Sequence, residues 1–167
     1  VLLAVRHGNR TVFDTLLNSY STISNAELQQ DVCNALASTR DASAIKLLLS
    51  KLKDPEFVRL QDFDRWIIYL LRNRKARTST WTWFTENWDW IEENFGSDKS
   101  YDHYPRYAGR VFSTQAWLDK YIAFFEPLKS EVSLKRNIEL GVEEINSRIL
   151  WRKRDEQSLK KWLDSRF

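Results

Sequence analysis

Residues 57–71 read FVRLQDFDRWIIYLL, and their apolar side chains recur every three or four positions. That spacing places them along one face of an α-helix, because a helix turns once in about 3.6 residues. Asp54 and Pro55 stand just before the stretch, and proline suits a first helical turn, where its missing N–H is no loss. The stretch therefore predicts a helix whose buried apolar face consists of Phe57, Leu60, Phe63, Trp66, Ile67, Leu70 and Leu71.

The same period continues upstream, where polar residues mark the helix starts. One apolar face is predicted over 11–20. Ser24 and Glu27 have the spacing of a capping box, in which each side chain accepts a backbone N–H that the helix leaves unpaired. Asp41 is placed to cap the next helix, whose apolar face includes Ile45.

Downstream, a tryptophan-rich helical segment is predicted over 81–95, and 97–109 is expected to be less regular. A long helix is predicted over 134–149, followed by a separate last helix that carries 159–163. The fold class is therefore all-α, with roughly nine or ten helices in antiparallel pairs. Short pairs stacked side by side suggest an irregular HEAT- or armadillo-like array, an α-α superhelix.

Composition excludes several classes of protein. The 167 residues fit one domain, 1–167, and a hydrophobic content of 43% excludes intrinsic disorder. Four glycines and three prolines argue against an all-β fold with many tight turns. The one cysteine, Cys33, excludes a disulfide framework and is expected to be buried. Since no apolar run approaches the roughly 20 residues that span a bilayer, we expect no membrane partner.

The sequence contains no recognisable catalytic motif. Its two histidines, His7 and His103, are far apart, and no H-E-x-x-H zinc motif is present. It also has no glycine-rich phosphate loop, nucleophile elbow or kinase signature. From its residues alone, the chain is expected to have no catalytic residue and to bind no metal or cofactor.

The basic stretch 72–77 precedes the tryptophans and offers a nucleic-acid patch as one interpretation. The other interpretation is a helix end, where Arg and Lys complement the negative end of the helix dipole. A formal net charge of only +3 favours the second. We therefore expect no nucleic-acid partner.

A family resemblance does emerge from the order of several short motifs. The family's stretch reads R-x-Q-D, then N, G-R and W-x-F-x-x-x-N-W, and this chain resembles it at Arg59, Gln61, Asp62, Asn73, Arg77, Trp81, Asn87 and Trp88. The family is that of the aminopeptidase N-type zinc aminopeptidases, which are gluzincins. The segment 124–127 is most similar to the cytosolic bacterial members, and Ala76 departs from the family by replacing a glycine.

The resemblance implies a larger enzyme in which catalysis and enclosure of the substrate belong to separate domains. The family's catalytic domain carries the zinc, the glutamate base and the motif that binds the substrate's free amino group, and none of these is here. The matching part is the C-terminal helical domain, a bowl of HEAT-like repeats that closes over the catalytic domain. It encloses the substrate chamber and contacts the distal end of the peptide. The chain starts inside an apolar stretch and contains no methionine, so we expect it to be the later part of that domain.

The resemblance also implies partners, location and site residues. The partners would be the catalytic domain and peptide substrates, in the cytoplasm, with zinc in the parent enzyme only. Arg59, Arg74 and Arg77 are the candidates for binding a peptide carboxylate, because a guanidinium pairs with it through two hydrogen bonds. The other motif residues are expected to be structural: Gln61, Asp62, Asn73, Trp81, Asn87 and Trp88.

The sequence leaves two alternatives open. For Arg59, a structural network with Gln61 and Asp62 that ties helix ends together is favoured over a role in the substrate chamber. For the whole chain, a stand-alone helical-repeat scaffold that binds proteins or peptides would show the same helix pattern. An H-E-x-x-H region upstream in the reading frame would exclude the scaffold.

Overall fold

A computed structural model describes residues 1–166, which contain ten α-helices, three short 3-10 helices and no strand. The all-α prediction is therefore confirmed, while the HEAT-like arrangement stays a prediction. The α-helices are α1 Leu2–His7, α2 Arg10–Tyr20, α3 Ala26–Ala37, α4 Ala42–Ser50, α5 Phe63–Arg72, α6 Arg77–Glu86, α7 Trp88–Phe95, α8 Tyr104–Gly109, α9 Gln115–Phe125 and α10 Val132–Asp164. The 3-10 helices are Leu60–Asp62, Tyr101–His103 and Pro127–Ser130.

The chain divides into two compact units, Val1–Asn94 and a second unit from Phe95 onward. In the first unit, α3 packs against α1, α2 and α5, and α5 also packs against α6. The indole of Trp66 is fully buried there, and its Nε1 donates a hydrogen bond to the hydroxyl of Tyr20 at 3.1 Å. Burial is also the main cause that raises the pKa of Tyr20 to about 12. Three aromatic residues of the segment quoted first, Phe57, Phe63 and Trp66, are thus buried in the core of this unit.

In the second unit, α10 packs against α8 and α9. Two glycines allow the helix backbones to approach, since a Cβ at Gly109 would lie 2.7 Å from the Cα of Gly141. A Cβ at Gly141 would in turn collide with the hydroxyl of Tyr121. That buried hydroxyl donates a hydrogen bond to the carbonyl of Pro105 at 3.1 Å. Only glycine fits at these two positions without displacing a neighbour.

One helix start was predicted one residue too early. α3 is capped by Asn25, whose side-chain oxygen accepts the N–H of Leu28 at 2.8 Å, so the predicted Ser24 cap is wrong. Asparagine caps at least as well as serine, which explains the later start. The cap of α4 is confirmed, because Asp41 accepts the N–H of Ala44 at 2.7 Å.

The last two predicted helices are one continuous helix, α10. Residues 150–158 contain neither proline nor glycine, so nothing in the backbone interrupts the helix there. Arg152 and Glu156 add an ion pair one turn apart, at 3.9 Å. α10 runs for 33 residues, yet neither it nor any other described helix combines the length and apolarity that crossing a bilayer demands.

Two other local predictions differ from the structure. The less regular region 97–109 contains a 3-10 helix and then α8. The helix predicted over 57–71 begins regular α-structure only at Phe63, and the side chain of Leu60 lies on the preceding 3-10 turn with 53% exposure. The apolar face is otherwise buried as predicted.

Candidate functional site

The first unit contains a cleft of about 490 Å³ whose charged lining is entirely basic. No Asp or Glu among the described residues lines it. Its cations come from four separate segments, namely α1, the α3–α4 connection, the end of α5 and the α5–α6 turn. We call this the basic cleft, and its five cationic residues are Arg6, Arg40, Arg72, Arg74 and Lys75. The remaining lining residues are Leu2, Asn34, Ser38, Tyr69 and Asn73.

Asn73 holds the α5–α6 turn against the end of α3. Its Nδ2 donates hydrogen bonds to the carbonyls of Ala37 at 2.8 Å and Thr39 at 2.6 Å. Its Oδ1 accepts the backbone N–H of Lys75 at 3.0 Å. These three bonds fix the turn that carries two of the cations next to the connection that carries Arg40.

Arg77 uses its guanidinium inside the fold. Its Nε donates to the carbonyl of Leu71 at 2.8 Å, and an Nη donates to the carbonyl of Arg72 at 3.4 Å. Burial and then the nearby charge of Arg74 lower the pKa of Arg77. The side chain therefore satisfies carbonyls at the end of α5, and it does not line the basic cleft.

The five cationic side chains of the basic cleft, unlike Arg77, do not bind groups of the described part of the protein itself. Within residues 1–166, none of them forms an ion pair or a side-chain hydrogen bond. Elsewhere in the same unit, by contrast, Arg10 pairs with Asp14 at 2.7 Å. The cleft thus concentrates uncompensated positive charge, which attracts anions.

Arg59 belongs to a different group of side chains. Its Nε donates to Asp62 at 2.9 Å, and its Nη2 donates to the side-chain oxygen of Gln29 on α3. Arg65 donates to the other oxygen of Asp62 at 3.2 Å. The buried Asp62 therefore receives two charged donors and links the 3-10 turn to α5, while Gln61 on the same turn is exposed. Neither Arg59 nor Asp62 lines the basic cleft.

The remaining motif residues meet at the junction of α6 and α7. The ring of the buried Trp81 stacks on Phe84 at 5.9 Å, and the buried Trp88 meets Phe84 edge-on at 5.3 Å. Asn87 ends α6 by donating its amide to the carbonyl of Trp83 at 2.6 Å. Ala76, at the position where the family has glycine, has a φ of −89°, so the α5–α6 turn does not require a glycine there.

The described residues do not fit a zinc site. Residues 1–166 contain no group of three His, Cys, Asp or Glu side chains that could hold a metal ion. Cys33 is buried as predicted, and burial strongly raises the pKa of its thiol. A buried neutral thiol is a poor metal ligand, because the thiolate is the form that binds.

Sequence reasoning found only part of the basic cleft. Of the three arginines proposed for the substrate chamber, Arg74 lines the cleft, whereas Arg59 and Arg77 do not. Arg72 and Lys75 lie in the basic stretch that the sequence made visible. No local sequence pattern identifies Arg6 or Arg40 as part of a basic site, because only tertiary packing brings α1 and the end of α3 next to the basic stretch.

The fold and the cleft together define an all-helical module with an anion-attracting surface. The sequence model of the ERAP1-like C-terminal domain family matches residues 1–147, and the chain belongs to this family. Its sequence is similar to aminopeptidase N from Lactococcus lactis subsp. cremoris (strain MG1363), with 36% identity over 135 residues, which is 81% of this chain and 16% of the relative.

Two further relatives extend the range of organisms. Aminopeptidase N from Lactobacillus helveticus is 30% identical over 142 residues, which is 85% of this chain and 17% of that relative. Glutamyl aminopeptidase from Mus musculus is 27% identical over 164 residues, which is 95% of this chain and 17% of that relative. The chain therefore spans roughly a sixth of the length of the curated relatives it matches.

Proposed function

We propose that this chain is the non-catalytic C-terminal helical domain of a zinc-dependent aminopeptidase, which removes N-terminal amino acids from peptides. The observation that carries the proposal is the family match over 1–147. It is supported by relatives that are named aminopeptidase N and glutamyl aminopeptidase. The zinc and the glutamate base would belong to a catalytic domain outside this chain, since the described residues hold no group of metal ligands.

In this function the domain closes over the catalytic domain and encloses the substrate chamber. A HEAT-like array of helices suits that task, because stacked helices form an extended curved surface. Enclosure admits extended peptides and excludes folded proteins. The proposed partners are thus the catalytic domain and peptide substrates, and the proposed location is the cytoplasm.

Arg74 is the residue that we assign to the distal end of the peptide. A peptide ends in a carboxylate, which a guanidinium binds through two charge-assisted hydrogen bonds. Among the three candidate arginines, Arg74 alone lines the basic cleft, and its guanidinium has no partner within residues 1–166. Arg59 and Arg77 donate to groups of the protein itself.

The test compares Arg74→Gln with the wild type in the complete enzyme, using one peptide with a free carboxyl terminus and the same peptide amidated. We expect KM for the free peptide to rise about 5- to 30-fold, which corresponds to one or two kcal/mol, with little change for the amide. Arg136→Gln is the matched control, because Arg136 is exposed on α10, outside the cleft. An equal effect on both peptides, or none on either, would contradict the assignment of Arg74.

A further inference from the structure

We propose that the basic cleft binds a small multivalent oxyanion of the pyrophosphate or tripolyphosphate class. This function goes beyond the capping of a substrate chamber, and it does not depend on the chain being part of an aminopeptidase. It rests on the number of cationic side chains that have no ion pair or side-chain hydrogen bond within residues 1–166, on the size of the cleft and on its concave shape.

The charge of the cleft exceeds what a single carboxylate neutralises. Five cationic side chains line it, with no carboxylate of the described residues among them. Like charges that share one concave surface repel each other, and a ligand that carries several negative charges relieves this repulsion. Guanidinium groups match phosphate oxygens with two parallel hydrogen bonds, and Arg supplies four of the five cations here.

The volume of the cleft supports the same ligand class. The cleft, at about 490 Å³, is much larger than a single carboxylate group. A lone carboxylate would leave most of this space and most of the cations to solvent. A chain of two or three phosphate groups would fill more of this space and could pair with more than one of the five cations.

The lining favours a small anion over a nucleic acid. Single-stranded nucleic acids bind on grooves where aromatic rings stack with successive bases. Tyr69 is the single aromatic residue that the described part of the chain contributes to the lining, and its hydroxyl accepts a hydrogen bond from Gln30 at 3.1 Å. The cleft therefore has cations for phosphates but no row of rings for bases.

The backbone around the cleft is already held in place without a ligand. Asn73 ties the turn that carries Arg74 to the end of α3, with hydrogen bonds of 2.6 and 2.8 Å. Because the cationic side chains form no hydrogen bond or ion pair within residues 1–166, replacing them removes no internal polar interaction. Variants of these residues are therefore expected to fold, which makes the proposal testable by mutation.

The experiment is isothermal titration calorimetry of the purified chain with tripolyphosphate, pyrophosphate, phosphate and acetate, at matched ionic strength and without divalent cations. We expect affinity to fall in that order. The double variant Arg40→Gln/Arg74→Gln should bind tripolyphosphate at least about tenfold more weakly, since two charge-assisted contacts are lost. Arg136→Gln changes the net charge outside the cleft and should stay within about twofold of the wild type.

Three outcomes would overturn the proposal. The first is equal affinity for tripolyphosphate and acetate, and the second is an equal loss in the cleft variant and in Arg136→Gln. The third, from a further titration with a single-stranded oligonucleotide in the same buffer, is tighter binding of the oligonucleotide than of tripolyphosphate, which would assign the surface to nucleic acid. Failure of the peptide test described for Arg74, with anion binding intact, would reject only the proposed peptide contact.

Discussion

At the scale of single residues, Asn73 is an uncharged side chain that holds the backbone of the basic cleft in place. It satisfies two carbonyls near the end of α3 and one N–H in its own turn. The family motif includes this residue, and its side-chain hydrogen bonds are all with backbone groups. Its structural role was a prediction from resemblance, and these contacts support it.

We predict that Asn73→Ala destabilises the chain by about 1–3 kcal/mol, because the carbonyls of Ala37 and Thr39 lose their donor. The free energy of unfolding, measured by urea titration, tests this. Asn18→Ala is the control, since Asn18 is exposed on α2 and makes no side-chain hydrogen bond within residues 1–166. Equal stability of the two variants would contradict the structural role of Asn73.

Glu144 organises charge in the second unit in a comparable way. Its Oε1 accepts a hydrogen bond from Arg106 at 3.0 Å, and its Oε2 accepts one from Arg148 at 3.2 Å. Partial burial raises the pKa of Glu144, but the hydrogen bonds from Arg106 and Arg148 and the charge of Arg110 outweigh it, so the net pKa is lowered. The ionised form is thus favoured in the folded protein.

This lowered pKa predicts a stability that depends on pH. A carboxyl whose pKa is lower in the folded than in the unfolded state contributes fully above its ordinary value of 4.5, and this contribution is lost as the pH falls below it. Between about pH 7 and pH 3, Glu144→Gln should therefore lose less stability than the wild type does. Urea titrations of both proteins at the two pH values measure this difference.

The neighbouring Glu143→Gln serves as the control for Glu144. Glu143 is exposed on the same helix and forms no ion pair within the described residues. Its variant should keep the full acid sensitivity of the wild type. If both variants responded to acid in the same way, the hydrogen bonds to Glu144 would not be the cause.

At the scale of elements, helix existence could be predicted but some boundaries could not. The period of apolar residues identified α2 and α5 because it repeats over several turns. The start of α3 depended on a choice between two adjacent capping residues, which periodicity does not resolve. The continuity of α10 was missed because its polar section, 152–158, lacks an apolar stripe but also lacks any helix breaker.

The start of α3 offers a direct test of the capping assignment. Asn25→Ala should cost about 1 kcal/mol, because its side chain accepts the N–H of Leu28, whereas Ser24→Ala should stay within about 0.5 kcal/mol of the wild type. The urea midpoints of the two variants provide the comparison. A larger loss for Ser24→Ala would restore the capping box that the sequence suggested.

The basic cleft could not be predicted as a whole from the sequence. Arg72, Arg74 and Lys75 are adjacent in the chain and visible as a basic stretch. Arg6 and Arg40 join them only because α1 and α5 both pack against α3. The interpretation of the stretch as a helix end is supported at Arg77, whose side chain donates to carbonyls of α5.

At the scale of the whole molecule, the order of motifs carried more information than any single one. The family match covers 1–147, which includes both the motif residues of the first unit and most of the second unit. The described residues carry a basic cleft and no cluster of metal ligands. The proposal that catalysis and enclosure belong to different domains of one aminopeptidase rests on the family match.

Sequencing the reading frame upstream of the segment that encodes residue 1 tests this central claim most directly. Our account predicts a continuous open frame that contains H-E-x-x-H, the helix-borne zinc motif with its glutamate base. A stop codon shortly upstream, or a continuous frame without that motif, would contradict the account and leave the chain as a stand-alone helical scaffold.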